Sequence, residues 1–292
     1  MRSNIYLASE RQRPEQHDIL KAKFEDLGKV WPRPRDAKMA QMPDVYHVSW
    51  GSLKDEVKVR GDVDRALSLG ISVLQYDWEP TIDVIHNGNT IKVPPTSYIH
   101  LPYEKQAEAD DKWQQQLIQA GEWIHDQSGA VEWGVYDLPT TFGDGNLAIP
   151  AEVDSVNYNI ERCTTRRTSF GRVGPGCLAS VDYLCPTMYR PHNFNLGTNP
   201  DWLFRVDVMQ DILDKDVAER RIICWAWPRQ HPGPGYPPPE WPVDEWAVML
   251  AKLLEMVGLD GAVMIHCEGY DTLETSNPIW AEVWNQWNRC TA

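Results

Sequence analysis

Seven short apolar runs, separated by helical patterns, place the strongest limit on how this chain folds. Each run has the length and the bounding residues of a buried β-strand. The runs are Ile5–Ala8, Val45–Trp50, Ile71–Trp78, Ala130–Asp137, Val181–Tyr189, Ile222–Trp227 and Ala262–Cys267. Strands that alternate with helices form a parallel sheet, and nearly continuous apolar strands are covered on both faces.

The clearest helical pattern lies between the last two runs, over Pro242–Gly258. Proline and two acids stand at its start, as the N-terminus of a helix favours, and Gly258 is expected to end it. Asp62–Leu69 and Glu104–Gln127 show a similar pattern, each followed closely by a glycine. The buried face of the Pro242–Gly258 helix is predicted to comprise Val243, Trp246, Ala247, Leu250, Leu253, Leu254 and Val257.

About seven or eight strand–helix units over this length predict an α/β fold, a single (β/α)₈ TIM barrel spanning residues 1–292. The eighth strand has only a poor candidate, Lys29–Trp31, which leaves room for an irregular barrel. Two long connections, at about 138–180 and 228–242, are expected to build the face where barrel active sites lie. The first connection carries a basic patch, and the second is rich in proline. The basic patch consists of Arg162, Arg166, Arg167 and Arg172.

Charge and composition exclude several classes of function. The formal net charge of -14 argues against nucleic acid or an anionic membrane as the main partner. No apolar run reaches the roughly 18 residues of a membrane span, and the first ten residues hold too short an apolar stretch for a signal peptide. Cys185, Cys224 and Cys267 lie in apolar runs, so buried free thiols are expected. We therefore expect a cytoplasmic protein, or one that is released or particle-associated by a route without a cleaved signal.

The segment Ile71–Pro80 carries the strongest functional signal. An apolar strand leads into Asp77-Trp78-Glu79, and Pro80 ends it. Because side chains alternate along a strand, Asp77 and Glu79 should point to one side. Two carboxylates that close cannot easily both ionise, so the pKa of one should rise, which keeps a general acid protonated near neutral pH. The alternative is a structural pair of acids held by Arg190, Arg229 or backbone N–H groups.

Acidic and aromatic side chains also stand at the carboxyl ends of the other predicted strands. They are Trp50, Tyr136, Asp137, Tyr189, Trp227, His266 and Glu268. Fourteen tryptophans against five phenylalanines supply flat apolar faces of the kind that stack on sugars. This composition is typical of a carbohydrate cleft rather than a phosphate or nucleotide site. His266 and Glu268 have no spaced histidine partner, so neither a metal nor a cofactor is predicted.

Four segments in chain order resemble the hyaluronidase family of glycoside hydrolases. Asp77-Trp78-Glu79 matches the family's Asp-Trp-Glu motif at the end of a strand, and Trp133–Pro139 is similar to its Trp-Gly-Tyr-Tyr-…-Pro segment. Leu184–Tyr189 resembles its Leu-Tyr-Pro-Ser-Ile-Tyr, and Trp225–Arg229 resembles its Phe-Ala-Tyr-Thr-Arg. Chitinase-type barrels share the same catalytic logic with a longer acidic motif, which this chain lacks.

The resemblance implies a retaining, substrate-assisted glycosidase acting on a polysaccharide or other glycan that contains N-acetylhexosamine. Glu79 would be the general acid and base. Asp77 would orient the N-acetyl group of the substrate, whose carbonyl oxygen attacks the anomeric carbon, an exception to the two-carboxylate scheme. Glycan contacts are predicted for Trp50, Tyr136, Asp137, Tyr183, Tyr189, Trp227, Arg229 and Glu268. Glu268 has two further interpretations, a second catalytic carboxylate and a solvated loop acid.

Two departures from the family leave a second hypothesis open. Cys185 stands where the family has a tyrosine that hydrogen-bonds the N-acetyl group, and Tyr183 or Tyr189 is a candidate replacement. The family's tryptophan in the last strand is missing. The alternative is a catalytically inactive barrel that binds glycan or forms a structural part of a virion or cell surface. An oligomer is compatible with both hypotheses.

Overall fold

The computed structural model describes a little over half of the chain. The described residues are 5–8, 45–49, 53–68, 70–77, 82–86, 88–93, 103–136, 138, 166–168, 171–173, 176–188, 190–191, 206–207, 209–210, 213–214, 218–231, 240–258, 260–266 and 276–291. Lys29–Trp31, the candidate for an eighth strand, lies outside them. Within the described ranges, no helix is both long and apolar enough to cross a membrane.

The described helices and strands follow the predicted order. The α-helices are α1 (Glu56–Ser68), α2 (Tyr103–Gln127), α3 (Val243–Val257) and α4 (Pro278–Thr291), and a 3₁₀ turn covers Cys177–Ser180. The strands are β1 (Ile5–Ala8), β2 (Val45–Ser49), β3 (Val73–Asp77), β4 (Ile82–His86), β5 (Asn89–Val93), β6 (Glu132–Val135), β7 (Arg166–Thr168), β8 (Gly171–Val173), β9 (Tyr183–Leu184), β10 (Arg190–Pro191), β11 (Arg221–Ala226), β12 (Gln230–His231) and β13 (Ala262–His266). All seven predicted strands are thereby confirmed, most of them shorter than the apolar run.

Those seven strands run parallel in two sheets, ordered β2-β3-β6 and β1-β13-β11-β9. Backbone hydrogen bonds join the two sheets between β6 and β9. The Asp182 amide donates to the Trp133 carbonyl at 2.8 Å, and the Cys185 amide donates to the Leu138 carbonyl at 2.7 Å. The strands therefore lie side by side in chain order from β2 to β13, and β1 lies beside the last one. Among the described strands, no pairing of β1 with β2 completes a ring.

Alternation along the strands divides their side chains between two cores. In β3, Leu74 and Tyr76 belong to the larger core, which the helices cover. The second core, here called the inner cluster, lies on the other face of the strands. Its members are Val73, Tyr183, Cys185, Ile223, Trp225, Ala262 and Met264, with Tyr136 packed against them. Residues from four parallel strands thus meet on the face that turns away from the helices.

Helix α3 confirms the predicted helix and corrects its buried face. The chain leaves the helix at Gly258 with a φ of 66°, a conformation that favours glycine. Val243 is 38% exposed, so its predicted place in the core is wrong. It lies in the first turn, at the end of the helix, where few neighbours cover it. The buried residues are Trp246, Met249, Leu250, Leu253, Met256 and Val257.

The covered face of β3 is tied to α1 through one hydrogen bond. The Tyr76 hydroxyl donates to Oδ2 of Asp62 at 3.1 Å. Burial raises the pKa of the Asp62 carboxyl, and the Tyr76 hydrogen bond and the Lys58 ammonium oppose this shift. The folded chain therefore holds this proton more tightly than the unfolded chain does.

We expect Asp62→Asn to remove one source of pH dependence in stability. Because the folded-state pKa is raised, the contribution of Asp62 is favourable at low pH and is lost as the pH rises through that pKa. Between about pH 4 and pH 7, a rise in pH should therefore lower the free energy of unfolding of the parent relative to that of Asp62→Asn. Urea unfolding at both pH values measures this difference, and equal pH slopes for the two proteins would contradict it.

Candidate active site

The predicted acidic pair falls at the carboxyl end of β3. Asp77 is the last residue of that strand and pairs in register with Ser49 of β2. Val73 belongs to the inner cluster and Gln75 is fully buried. By strand alternation, positions 73, 75 and 77 share the inner face. Glu79 lies outside the described residues.

Four of the predicted glycan contacts also lie outside the described residues, namely Trp50, Asp137, Tyr189 and Glu268. The other four, Tyr136, Tyr183, Trp227 and Arg229, are described. The structure brings Tyr136 and Trp227 into one group of aromatic rings and places Tyr183 and Arg229 elsewhere.

The group of rings, here called the aromatic layer, consists of Tyr136, Trp225, Trp227 and His266. It lies at the carboxyl ends of β6, β11 and β13. Tyr136 meets Trp225 edge to face, with ring centroids 5.5 Å apart. The His266 ring lies 4.6 Å from Trp225 and 6.1 Å from Trp227. Such rings combine apolar faces with N–H and O–H groups, which suits contact with a sugar.

Three of the four members of the aromatic layer are buried, more deeply than a position at the strand ends implied. Trp225 is fully buried, Trp227 and His266 are nearly so, and Tyr136 is half-buried. Trp225 was absent from the predicted contacts, although its place two residues before Trp227 puts both on the same face of the strand. The period of two along β11 was the signal that could have found it.

Tyr183 lies deep in the inner cluster rather than at the strand ends. Its hydroxyl donates to the Leu74 carbonyl at 2.7 Å, and burial raises its pKa well above the ordinary value. A Cβ on Gly134 would come within 2.5 Å of the Tyr183 ring, so glycine at that position leaves the space that the ring fills. This geometry gives Tyr183 a packing role and disfavours it as a glycan contact or as the replacement for the family tyrosine.

Cys185 and Gln75 form a polar contact inside the inner cluster. The Gln75 Nε2 atom donates to the Cys185 sulfur at 2.7 Å, while the buried Gln75 Oε1 has no hydrogen-bond partner among the described residues. Cys185 and Cys224 are buried free thiols, as predicted, and Cys267 lies outside the described residues. Sequence reasoning missed Gln75, although a lone amide in an apolar strand run was a visible signal.

Arg229 belongs to the connection that follows β11. One guanidinium nitrogen lies 3.4 Å from Oε1 of Glu240, and the Trp241 indole donates to the Arg229 carbonyl at 3.4 Å. The side chain is largely buried. Among the described residues, Glu240 is therefore the carboxylate that pairs with Arg229. It lies at the other end of the same proline-rich connection.

Two hairpins that sequence reasoning did not predict lie beside α2. In the β4–β5 hairpin, which begins five residues after Asp77, His86 pairs with Asn89. Gly88 there has a φ of 78°. The dipeptide Asn87-Gly88 is a strong hairpin signal that could have revealed it. The β7–β8 hairpin lies within the predicted long connection 138–180. Both hairpins approach α2.

A cavity of about 490 Å³ lies away from the aromatic layer. It is lined by Leu184, Gln210, Leu213, Asp214, Glu219, Arg220 and Ile222. Leu184 and Ile222 belong to the helix-covered core, so this cavity opens on the opposite face of the strands from the inner cluster. No acid or aromatic residue predicted for the site lines it. In the part of the chain that is described, no three His, Cys, Asp or Glu side chains come together as metal ligands.

Comparison with known proteins gives a result at the level of the fold. No protein-family model matches the chain, and no curated protein does either. Bee venom hyaluronidase is similar with a TM-score of 0.56 and 12% identity, over 99% of this chain and 98% of that one. Bee venom hyaluronidase in complex with a hyaluronic acid tetramer gives a TM-score of 0.57 and 11% identity, over 99% and 96% of the two chains.

A GH18 chitinase from Pseudoalteromonas aurantia is also similar, with a TM-score of 0.49 and 12% identity over 98% of this chain and 100% of that one. The bee venom enzyme is a TIM-barrel glycoside hydrolase. The hyaluronidase-like fold that the strand-end motifs predicted is thereby confirmed.

Proposed function

We propose that the chain is a glycoside hydrolase that cleaves an N-acetylhexosamine-containing glycan with retention, by substrate assistance. One observation carries the proposal. The strand that leads into the Asp77-Trp78-Glu79 motif lies in a parallel array whose overall fold is similar to that of bee venom hyaluronidase. The aromatic layer, at the carboxyl ends of neighbouring strands, supports a glycan as the ligand.

The same proposal includes a closed (β/α)₈ barrel formed by a single domain over residues 1–292. The parallel strands already lie in chain order, with β1 beside the last strand. A ring of eight strands is completed if an eighth strand, for which Lys29–Trp31 is the candidate, lies between β1 and β2. In a closed barrel the loops at the carboxyl ends of the strands build the active site. Asp77 and the aromatic layer then belong to one rim.

The proposed chemistry needs two carboxyl groups in different roles. Glu79 donates a proton to the leaving glycosidic oxygen while the carbonyl oxygen of the substrate's N-acetyl group forms a bond to the anomeric carbon. Asp77 holds the amide N–H and so aims that carbonyl oxygen. Water then attacks the anomeric carbon and breaks the bond to the carbonyl oxygen, and Glu79 accepts the proton that the water loses. Two displacements at one carbon give retention of configuration.

The predicted glycan contacts separate into four groups in this proposal. Tyr136 and Trp227 belong to the aromatic layer, in which the half-buried Tyr136 offers its ring to the sugar and the nearly buried Trp227 packs behind the contact surface. Tyr189 remains the candidate for the hydroxyl that the family places at the position of Cys185. Tyr183 is left out because its hydroxyl is bonded within the core. The remaining candidates, Trp50, Asp137, Arg229 and Glu268, keep their predicted role as strand-end or loop contacts.

Substrate assistance predicts that cleavage depends on the N-acetyl group and on Asp77. We expect the purified chain to cleave one of chitin, hyaluronan, chondroitin or peptidoglycan fragments, and to lose that activity when the same glycan is de-N-acetylated. Asp77→Asn should lower kcat by roughly 10²-fold, because the nucleophilic carbonyl is no longer aimed. Product release by chromatography measures the rate, and NMR of the first product measures its anomeric configuration.

The exposed Asp260→Asn variant is the matched control and should keep full activity. Unchanged turnover in Asp77→Asn, or equal cleavage of acetylated and de-N-acetylated glycan, would contradict substrate assistance. Tight binding of a glycan with no cleavage of any would instead favour the inactive glycan-binding barrel.

A further inference from the structure

The cavity of about 490 Å³ beside β9 and β11 has no role in the chemistry proposed above. It lies near the amino-terminal ends of these strands, because Leu184 is the second residue of β9 and Ile222 is the second residue of β11. The aromatic layer lies at the carboxyl ends instead. The volume of the cavity falls within the roughly 300–1,000 Å³ that is usual for small-molecule pockets. A ligand in this cavity therefore occupies a site separate from the proposed glycan cleft.

Part of the cavity lining is aliphatic. Leu184 and Ile222 pair in register on neighbouring strands, and Leu213 lines the same cavity. Leu184 and Leu213 are buried. The described residues of the lining include no aromatic side chain, so they offer no ring face to a quaternary ammonium group. This part of the lining suits an alkyl chain.

The charged groups of the lining carry an excess of negative charge. Among the described lining residues, Asp214 and Glu219 are acids and Arg220 is a base. The Arg220 Nε atom donates to the Val181 carbonyl at 3.0 Å, and Gln210 Nε2 donates to Oδ1 of Asp214 at 2.6 Å. These contacts hold the guanidinium and one carboxylate in place. The excess of carboxylate, on a chain with a formal net charge of -14, favours a cationic ligand.

Glu219 has a backbone conformation that glutamate rarely adopts. Its φ is 48°, and in the described part of the chain every other positive φ belongs to a glycine. Such a conformation costs free energy in the folded state, and strained residues of this kind concentrate at ligand sites. The strain therefore supports a ligand contact for the Glu219 carboxylate rather than a role in stability.

We infer that this cavity binds a primary aliphatic amine. The ammonium group pairs with the carboxylates of Asp214 and Glu219, and the alkyl chain lies against the aliphatic part of the lining. A bare metal ion fits less well because it would leave the aliphatic side chains without a contact. A free alkylamine and the lysine side chain of a peptide share the required chemistry. This site is independent of the proposed glycosidase chemistry.

Ligand-detected NMR titration with hexylamine, hexan-1-ol and hexanoate measures the preferred charge, since these probes share an alkyl chain. At about pH 7 hexylamine carries its full positive charge. We expect hexylamine to bind roughly fivefold or more tightly than hexan-1-ol, and hexanoate to bind most weakly. Glu219→Gln should weaken hexylamine binding about fivefold, the upper range for an exposed ion pair, and leave hexan-1-ol binding unchanged.

A fourth probe, the blocked tripeptide Gly-Lys-Gly, separates the two sources of the amine. Tighter binding of the tripeptide than of hexylamine would identify a peptide lysine as the ligand. Tighter binding of hexylamine would identify a free amine.

Three further variants control for other causes of a change in amine binding. Glu255→Gln removes the same charge from an exposed position on α3 and should bind hexylamine as the parent does. Asp77→Asn should also bind it normally, because Asp77 lies at the carboxyl end of its strand. Glu219→Gly should bind hexylamine as weakly as Glu219→Gln does, yet keep or raise the thermal midpoint, because glycine adopts a positive φ without strain.

Equal affinities for hexylamine and hexan-1-ol would overturn the inference, as would equal hexylamine affinities in the parent and in Glu219→Gln. Loss of amine binding in Asp77→Asn alone would also overturn it and place the amine at the acidic motif. Glycan cleavage by a chain that binds no amine would overturn the amine site and leave the proposed function standing. Glu219-dependent amine binding in a chain that cleaves no glycan would support the amine site and contradict the glycosidase proposal.

Discussion

Glu79→Gln is expected to lower kcat/KM for glycan cleavage by about 10²–10⁴-fold, the usual contribution of general acid–base catalysis. Glutamine has nearly the same size as glutamate but cannot donate a proton to the leaving oxygen or accept one from water. Both displacements of the proposed mechanism therefore lose their proton transfer. Initial rates on the best glycan of the panel measure the effect.

Three accompanying measurements separate lost chemistry from other causes. The affinity of Glu79→Gln for the same glycan should stay close to that of the parent, because the substitution leaves the remaining contacts in place. Its free energy of unfolding should also be close to the parental value. The matched control is Glu255→Gln, the same substitution at an exposed position on α3, which should be fully active. A Glu79→Gln variant that retains the parental rate would remove Glu79 from the mechanism.

The strand and helix pattern was predictable because each apolar run had clear boundaries. The least accurate run is Val181–Tyr189, of which only Tyr183–Leu184 forms a strand. Pro186 lies inside it and has no N–H for a ladder, so pairing continues only through isolated bridges at Cys185 and Thr187. The sequence shows that proline, but it does not show which neighbouring carbonyl and amide groups take over.

The site was only partly predictable. Strand alternation shows on which face of the sheet a side chain lies, but not how far that side chain is from the carboxyl ends of the neighbouring strands. Tyr183 and Trp225 both belong to the inner cluster. Tyr183, however, pairs in register with Arg221, the first residue of β11, whereas Trp225 comes four residues later on that strand. Their different levels follow from the register between β9 and β11. That register depends on packing between distant segments, so local sequence patterns do not contain it.

The contact between Gln75 and Cys185 illustrates the same limit. Each residue was visible in its own strand run, but they are 110 positions apart and meet only because both face the inner cluster. The motif comparison drew attention to Cys185 as a departure from the family. The structure adds that its sulfur is already engaged with a buried amide, which a comparison of motifs could not reveal.

Trp225→Ala is expected to lower the free energy of unfolding by about 3–5 kcal/mol, the range for removing a fully buried tryptophan. Trp225 has no exposed surface and contacts both Tyr136 and His266. Its removal leaves a cavity in the inner cluster and takes away the ring that Tyr136 and His266 both contact. Urea unfolding followed by circular dichroism measures the loss, and Val248→Ala, at a half-exposed site on α3, should change stability by less than about 0.5 kcal/mol.

Trp225→Phe separates packing from the integrity of the aromatic layer. Phenylalanine keeps a ring for Tyr136 and His266 to contact. Trp225→Phe should therefore lower the free energy of unfolding by much less than Trp225→Ala does, since less volume is removed.

If the inner cluster is the interior of a closed barrel, solvent has no route by which to fill the cavity, and the loss of stability in Trp225→Ala stays large. A loss below about 1 kcal/mol in Trp225→Ala would mean that the strands relax around the cavity. That result would contradict both a closed barrel and a rigid aromatic layer above it.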